Sequence, residues 1–253
     1  MKIVYTIIPF LFLANTIISA ESPVENFKLS KEGVEVLEID CEAGFLKVYG
    51  DKELNQIEVE AELEIDITDK NDLEDFIQDH VRLSLEKKGN RAILISHIDD
   101  HSFFRRHAEI NLTVKIPQPM NLRVEDGSGW IEIKDIDGNL FVDDGSGDID
   151  ISNIKGDVEI DDGSGETNLN NISGYVEIDD GSGELEIENI RGDLNVDDGS
   201  GDMKITNING NVFVTDGSGS ININGVDKDV TIKEAGSGGL SIHDVKGKVE
   251  KRD

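Results

Sequence analysis

The sequence predicts an all-β protein, a parallel two-sheet β-solenoid of 18-residue coils preceded by a β-rich N-terminal domain. Three observations carry that prediction. The tetrapeptide Asp-Gly-Ser-Gly begins at Asp126, Asp144, Asp162, Asp180, Asp198 and Asp216, each start 18 residues after the last. Between these marks apolar and polar residues alternate with the period of two that belongs to strands. Glycine is abundant, 26 residues against 4 prolines, which fits a chain with many tight turns and few stiff linkers.

The first element, residues 1–20, reads MKIVYTIIPFLFLANTIISA. One lysine, an apolar stretch around Ile7 to Leu13 and a small residue before Glu21 form the pattern of a secretory signal peptide cleaved after Ala20. The expected location is therefore secreted, periplasmic or cell-surface. No later stretch is apolar enough to cross a membrane, so no span is expected in the mature chain. The single cysteine, Cys41, cannot form an internal disulfide and reads as a small buried hydrophobe within the apolar pattern of Val36 and Ile39.

Residues 21–117 are expected to form the N-terminal, capping domain. Strand-like alternation recurs at Val34–Ile39, Phe45–Val48, Ile57–Ile65, Val81–Leu85, Ala92–Ile95 and Ile110–Ile116. Leu73, Phe76 and Ile77 mark a short helix over Asp72 to Gln78. The expected product is an antiparallel β domain able to bury its own core.

Residues 118–253 are the repeat domain. One unit, Gly145 to Asp162, divides into two halves, each with an apolar-polar-apolar strand, Ile149 with Ile151 and Val158 with Ile160. Neither strand can bury its face alone; stacking each on its copy 18 residues later makes two sheets back to back. The inward ladders are then Ile133, Ile151, Leu169, Ile187, Ile205, Ile223 and Leu140, Val158, Val176, Leu194, Val212, Val230. Ile136, Ile154, Ile172, Ile190 and Ile208 should plug one end of the flattened tube. A degenerate seventh copy begins at Ala235, and the charged tail Glu250-Lys-Arg-Asp253 should discourage end-to-end stacking.

With 24 basic and 54 acidic side chains the chain carries 24 − 54 = −30. That excludes a phosphate-backbone partner, which needs clustered cations, and an anionic membrane surface. No nucleic-acid role is expected.

A β-rich lead-in ending in Leu112-Thr-Val-Lys-Ile-Pro117, then Asn121-Leu-Arg-Val124 leading into Gly-Ser-Gly-Asp-Ile-Asp-Ile and Ile-Lys-Gly-Asp-Val-Glu-Ile units, resembles the bacterial putative-adhesin family of envelope and secreted proteins. The resemblance runs from about Val34 to Val249. It implies a β-strand-repeat fold and an adhesion-like role, and it carries over no catalytic residue.

Stacking places Asp126, Asp144, Asp162, Asp180, Asp198 and Asp216 in one row, with Asp143, Asp161, Asp179 and Asp197 beside it. Like charges about 4.8 Å apart repel by roughly 0.9 kcal/mol in water and about 3.5 kcal/mol at an effective dielectric of 20. Each Asp can cap its Gly-Ser-Gly corner, accepting from backbone N–H groups. The opposite corner carries Asn153, Asn171, Asn189 and Asn207 instead, so capping alone does not explain the acids. Calcium, bound through the first row, is the alternative; the coil is similar to the calcium β-roll unit but lacks its Gly-Gly pair and has two apolar residues per half. No cofactor is required on this reading, calcium being the one candidate.

The sequence offers further candidate chemistry. His97, His101 and His107 are metal-ligand types at short spacing, but loop histidines of this kind are common. Hydrolytic chemistry needs carboxylates in unlike environments, whereas these have near-identical copies above and below, and no histidine lies near the Gly-Ser-Gly serines. No run of stacked aromatics is apparent: Phe141 and Phe213 are four coils apart, and Trp130 and Tyr175 flank opposite corners. The expectation is an exported, non-enzymatic, structural or adhesion-like module, presenting rigid acidic faces to an envelope or extracellular ligand.

Overall fold

The computed structural model describes residues 22–99 and 108–252. The signal-peptide expectation, together with His101 and His107, lies outside them. Strands dominate, in the order β1 (Val24–Ser30), β2 (Val36–Asp51), β3 (Gln56–Ile65), α1 (Lys70–His80), β4 (Val81–Lys88), β5 (Arg91–Ile98), β6 (Ala108–Pro117) and β7 (Asn121–Lys134). Thereafter short strands alternate between two sheets, from β8 (Leu140–Asp144) and β9 (Gly147–Ile154) to β19 (Leu240–Val245) and β20 (Val249–Lys251).

Each strand of the repeat pairs in parallel with its equivalent in the next coil, in the expected register. Leu140 faces Val158, Val158 faces Val176, and Val176 faces Leu194 on one sheet. Ile133 faces Ile151, then Leu169, Ile187, Ile205 and Ile223 on the other. Ile154, Ile172, Ile190 and Ile208 continue in line and are buried. Each such aliphatic side chain contributes roughly 1.5–3 kcal/mol by leaving water, and β-branched residues suit the pleat.

The N-terminal segment is not the purely antiparallel unit its alternation predicts. β2 lies parallel to β7 from Val36 opposite Asn121 to Tyr49 opposite Lys134, so it forms a complete coil of the solenoid. On its other edge, β5 pairs in parallel with the first half of β2 and β6 with the second half. The stack therefore runs β5–β6, β2, β7, an order the chain does not follow. Only β4 on β5, and β3 with β1 on β6, pair antiparallel. These turned-back strands close the free edge that a bare coil would leave open. The physical reason is local: the apolar faces of β2, β5 and β6 match those of β7, and the continuous ladder buries both.

Helix α1 starts at Asp69, whose carboxylate accepts from the N–H groups of Asn71 and Asp72, and it buries Phe76. It extends two residues beyond the expected span at each end.

Coil spacing is enforced at the Gly-Ser-Gly corner. The N–H of Gly165 donates to Ser182 O and that of Gly183 to Ser200 O. This brings the backbones so close that a Cβ built on Gly183 would lie 1.7 Å from Gly165 O. Gly239, by contrast, has nothing within 4 Å of such an atom. Gly183→Ala should therefore cost about 3 kcal/mol or more and Gly239→Ala far less, read by thermal unfolding. Equal melting temperatures for the two variants would contradict the close-approach argument.

Candidate functional site

Two columns set the chemistry of the rod, one inside it and one on its edge. The inner column is the Asp row. Along each strand the side chains alternate, so Leu140, Val142 and Asp144 point the same way, inward, while Phe141 and Asp143 point out. Asp144 and Asp162 are 2% exposed, and Asp180, Asp198 and Asp216 1%. The residues stand directly opposite one another from Asp126 to Asp216. Neutral side chains end the column, Cys41 opposite Asp126 and Ala235 opposite Asp216.

Each of the central carboxylates uses one oxygen on its own corner. Ser164 N, Ser182 N and Ser200 N donate to Asp162, Asp180 and Asp198 Oδ1 at 3.0, 3.0 and 2.8 Å. The other oxygen is buried without a partner at Asp126, Asp144, Asp180 and Asp198, and both are so at Asp216. Asp162 differs, because Thr167 stands where neighbouring coils have Ile149 and Leu185, and its hydroxyl donates to Asp162 Oδ2 at 3.2 Å.

Burial, reinforced by the carboxylates above and below, pushes Asp144 and Asp180 up to about 7. Burial likewise raises Asp126 and Asp198 to about 6 and lifts Asp162 and Asp216 above the ordinary range. Burial also raises the Cys41 thiol, with Asp126 beside it adding to the effect. An uncompensated row of charges in this interior would be costly, so it must be neutralised.

Calcium takes six to eight oxygens. The column leaves about one unpaired oxygen per coil, and among the described residues no three His, Cys, Asp or Glu side chains converge as a metal cage. These unpaired side-chain oxygens alone fall short of calcium's usual shell. Protons fit: a carboxylic acid keeps one acceptor for the serine N–H and offers an O–H to the next carboxyl along the stack.

The outer column is the Asn corner. Asn153, Asn171, Asn189 and Asn207 adopt left-handed backbone, with φ of 59° to 61°, a conformation Asn tolerates better than most residues. Their side chains bond along the stack: Asn171 Nδ2 donates to Asn153 Oδ1 at 2.7 Å and Asn207 Nδ2 to Asn189 Oδ1 at 3.2 Å. Asn153 donates to Asp135 at 2.9 Å, and Asn189 to the adjacent Asn170 at 3.3 Å.

The remaining candidates resolve locally. His97 Nε2 lies 2.7 Å from Asp40 Oδ1, and its Nδ1 is 3.9 Å from Glu42 Oε1, across β5 and β2. Ser241 and His243 are within hydrogen-bond reach at 3.0 Å on an exposed strand. Among the described residues, no carboxylate is bonded to the other His243 ring nitrogen. Trp130 stands opposite Phe45, which β2 brings beside it. The Lys47 ammonium lies 4.2 Å from the Phe45 ring centre and 5.3 Å from that of Trp130, so a cation already occupies the pair.

The fold and these columns define a parallel two-sheet β-solenoid with an acid-lined core and an amide-lined edge. The chain matches the Toastrack DUF4097 family over residues 46–252 and belongs to it. Among solved structures it is similar to a putative adhesin of Bacteroides fragilis, at 13% identity over 92% of this chain and 98% of that one, TM-score 0.48. It is also similar to a putative cell adhesion protein of Clostridium sporogenes, at 12% identity, 92% and 99% coverage, TM-score 0.36. A third is a putative lipid binding protein of Parabacteroides distasonis, at 14% identity, 93% and 98% coverage, TM-score 0.35. No curated protein matches the chain.

The column makes stability depend on pH in a defined sense. Groups whose folded pKa is raised stabilise the fold fully below the unfolded value near 4 and cease to do so as pH rises through the folded value. The carboxylates held low, Asp193 by hydrogen bonds from Asn211 and Asp227 by those from Lys246 and Asn209, stabilise the fold above the unfolded value and lose that contribution only on acidification below it, outside the window of the column. Between pH 5 and pH 8 the melting temperature should fall by at least ~5 °C, since even one such carboxyl carries about 1.4 kcal/mol per pKa unit and each kcal/mol is worth ~2–4 °C. Asp180→Asn should raise it at pH 8 and give little or no gain at pH 5, and millimolar calcium should leave it where chelator does. A calcium-specific rise would restore the metal reading.

Proposed function

We propose that this protein is an exported, non-enzymatic, adhesion-like module of the cell envelope, a rod that presents periodic faces to an envelope or extracellular ligand. One observation carries the reading. Outward columns repeat nearly the same side chain coil after coil, as Asp143, Asp161, Asp179 and Asp197 do on one face. A surface of that kind favours a long partner engaged at many equivalent points over a small molecule held at one. It also disfavours catalysis, because no one coil differs enough from its neighbours to set an acid against a base.

Family membership supports a solenoid scaffold, and the sequence of residues 1–20 supports export. Among the described residues no helix is long and apolar enough to cross a membrane.

The test has two parts. Expressed with its own leader, the protein should be recovered outside the cytoplasm with Glu21 as its first residue, by mass spectrometry. The purified mature chain should then adsorb saturably to isolated envelope material and show no turnover of glycan or ester substrates. Recovery of the uncleaved chain in the cytoplasm, or turnover abolished by altering one coil, would overturn the reading.

A further inference from the structure

Beside the Asn corner the acidic surface gives way to an edge where cations gather. An open groove of about 700 Å³ lies there, lined by Lys52, Lys115, Lys155 and Arg191 against two acids, Asp51 and Asp135. A second groove continues it along the stack, sharing Asn153, Asn171 and Arg191. In a chain of net charge −30 this concentration of cations is a reversal of sign.

The acids of the groove are already engaged. Asp135 Oδ1 accepts from Asn153 Nδ2 at 2.9 Å and Asp51 Oδ1 from Glu53 N at 2.8 Å. Lys155 is paired with Asp137 at 2.5 Å. Lys52 and Arg191 are exposed, and among the described residues neither has a carboxylate within ion-pair distance. Their charges are free for a ligand.

The spacing is also informative. Lys155, Ser173 and Arg191 hold the same place in consecutive coils, their N–H groups donating to Ile136 O, Ile154 O and Ile172 O. At about 4.8 Å per coil the two cations stand roughly 10 Å apart. Between and beside them runs the Asn ladder, whose amides both donate and accept, as hydroxyl-rich ligands require.

We infer that this edge is a binding groove for a linear, carboxylate-bearing polysaccharide laid along the stack. Its carboxylates meet Lys52 and Arg191, with Lys155 joining them by exchanging its exposed pair with Asp137, and its hydroxyls meet the Asn amides. A pyranose unit in an extended glycan is about as long as one coil spacing, so cations two coils apart meet the carboxylates of every second unit, whether or not the unit between is also charged. The acidic faces on either side repel a denser polyanion such as a nucleic acid. This inference rests on the adhesion-like reading and specifies its ligand.

The experiment is affinity electrophoresis of the mature protein at low salt in gels containing polygalacturonate, with dextran and poly-glutamate as separate comparisons. Polygalacturonate should retard the protein, and dextran and poly-glutamate should do so at least fivefold more weakly. The double variant Lys52→Gln with Arg191→Gln should weaken the polygalacturonate effect about tenfold. Both side chains are exposed, and an unchanged melting temperature confirms folding. Lys70→Gln, on α1 and exposed outside the groove lining, should behave as the parent. No retardation, equal retardation by poly-glutamate, or a double variant that binds normally would each overturn the inference. Envelope adsorption that persists in the double variant would leave the adhesion-like reading standing while removing this groove from it.

Discussion

The whole structure depends on one constraint, that every coil must repeat after the same number of residues because the backbones touch. At the Gly-Ser-Gly corner the glycine of one coil sits on the carbonyl of the glycine before it, as Gly201 does on Gly183 O, where a Cβ would lie only 1.5 Å away. No side chain fits, and no residue can be added there without breaking the parallel hydrogen bonds on both sides. The single irregularity, a register shift between Val214 and Thr215 against the strand Val230–Ala235, falls where the chain gains a residue between coils. Fixed register then places like on like. For aliphatic residues this is an advantage, since each ladder is a continuous apolar seam.

For charged residues the same rule is a difficulty, and the two corners meet it differently. On one, strand alternation turns Asp126 through Asp216 into the core, where solvent cannot screen them and only protonation or a bound ion can neutralise them. On the other, a left-handed residue is needed on the outside of the bend, and Asn supplies both that backbone and an amide that bonds to its own copy. A further polar row helps hold the stack: Asn139 Oδ1 accepts from Asp157 N, Asp157 Oδ1 from Tyr175 N, and Asp193 Oδ1 from Asn211 N. Polar side chains thus serve as vertical ties between coils, on surfaces where apolar ladders would be exposed.

The repeat was legible in the sequence because its information is local and reiterated. Ladder partners such as Ile151 and Leu169 follow from counting, and the Asn153–Asn171 bond follows from knowing that amides stack. The inward turn of the Asp row is also countable, since Asp144 stands two residues after Val142 in a strand, although the Gly-Ser-Gly corner that follows equally suits a capping aspartate. The placement of β2 was not countable. Its partner Trp130 is distant in sequence from Phe45, the intervening strands depart and return, and alternation alone does not say whether two strands run parallel or antiparallel. The cationic groove escaped for the same reason, because Lys52 and Lys115 come from the N-terminal segment and meet Lys155 and Arg191 only once β2 and β6 have joined the stack.

The central claim, that register forces a column of carboxyl groups into the core and that protons neutralise it, is tested most directly by carbon-detected NMR titration of the aspartate side-chain carboxyls. The account predicts that Asp180 and Asp144 titrate near pH 7, far above Asp193, which hydrogen bonds from Asn211 hold low, with a broadened, coupled transition along the row. Carboxyl shifts showing the whole row ionised at pH 5 would contradict it.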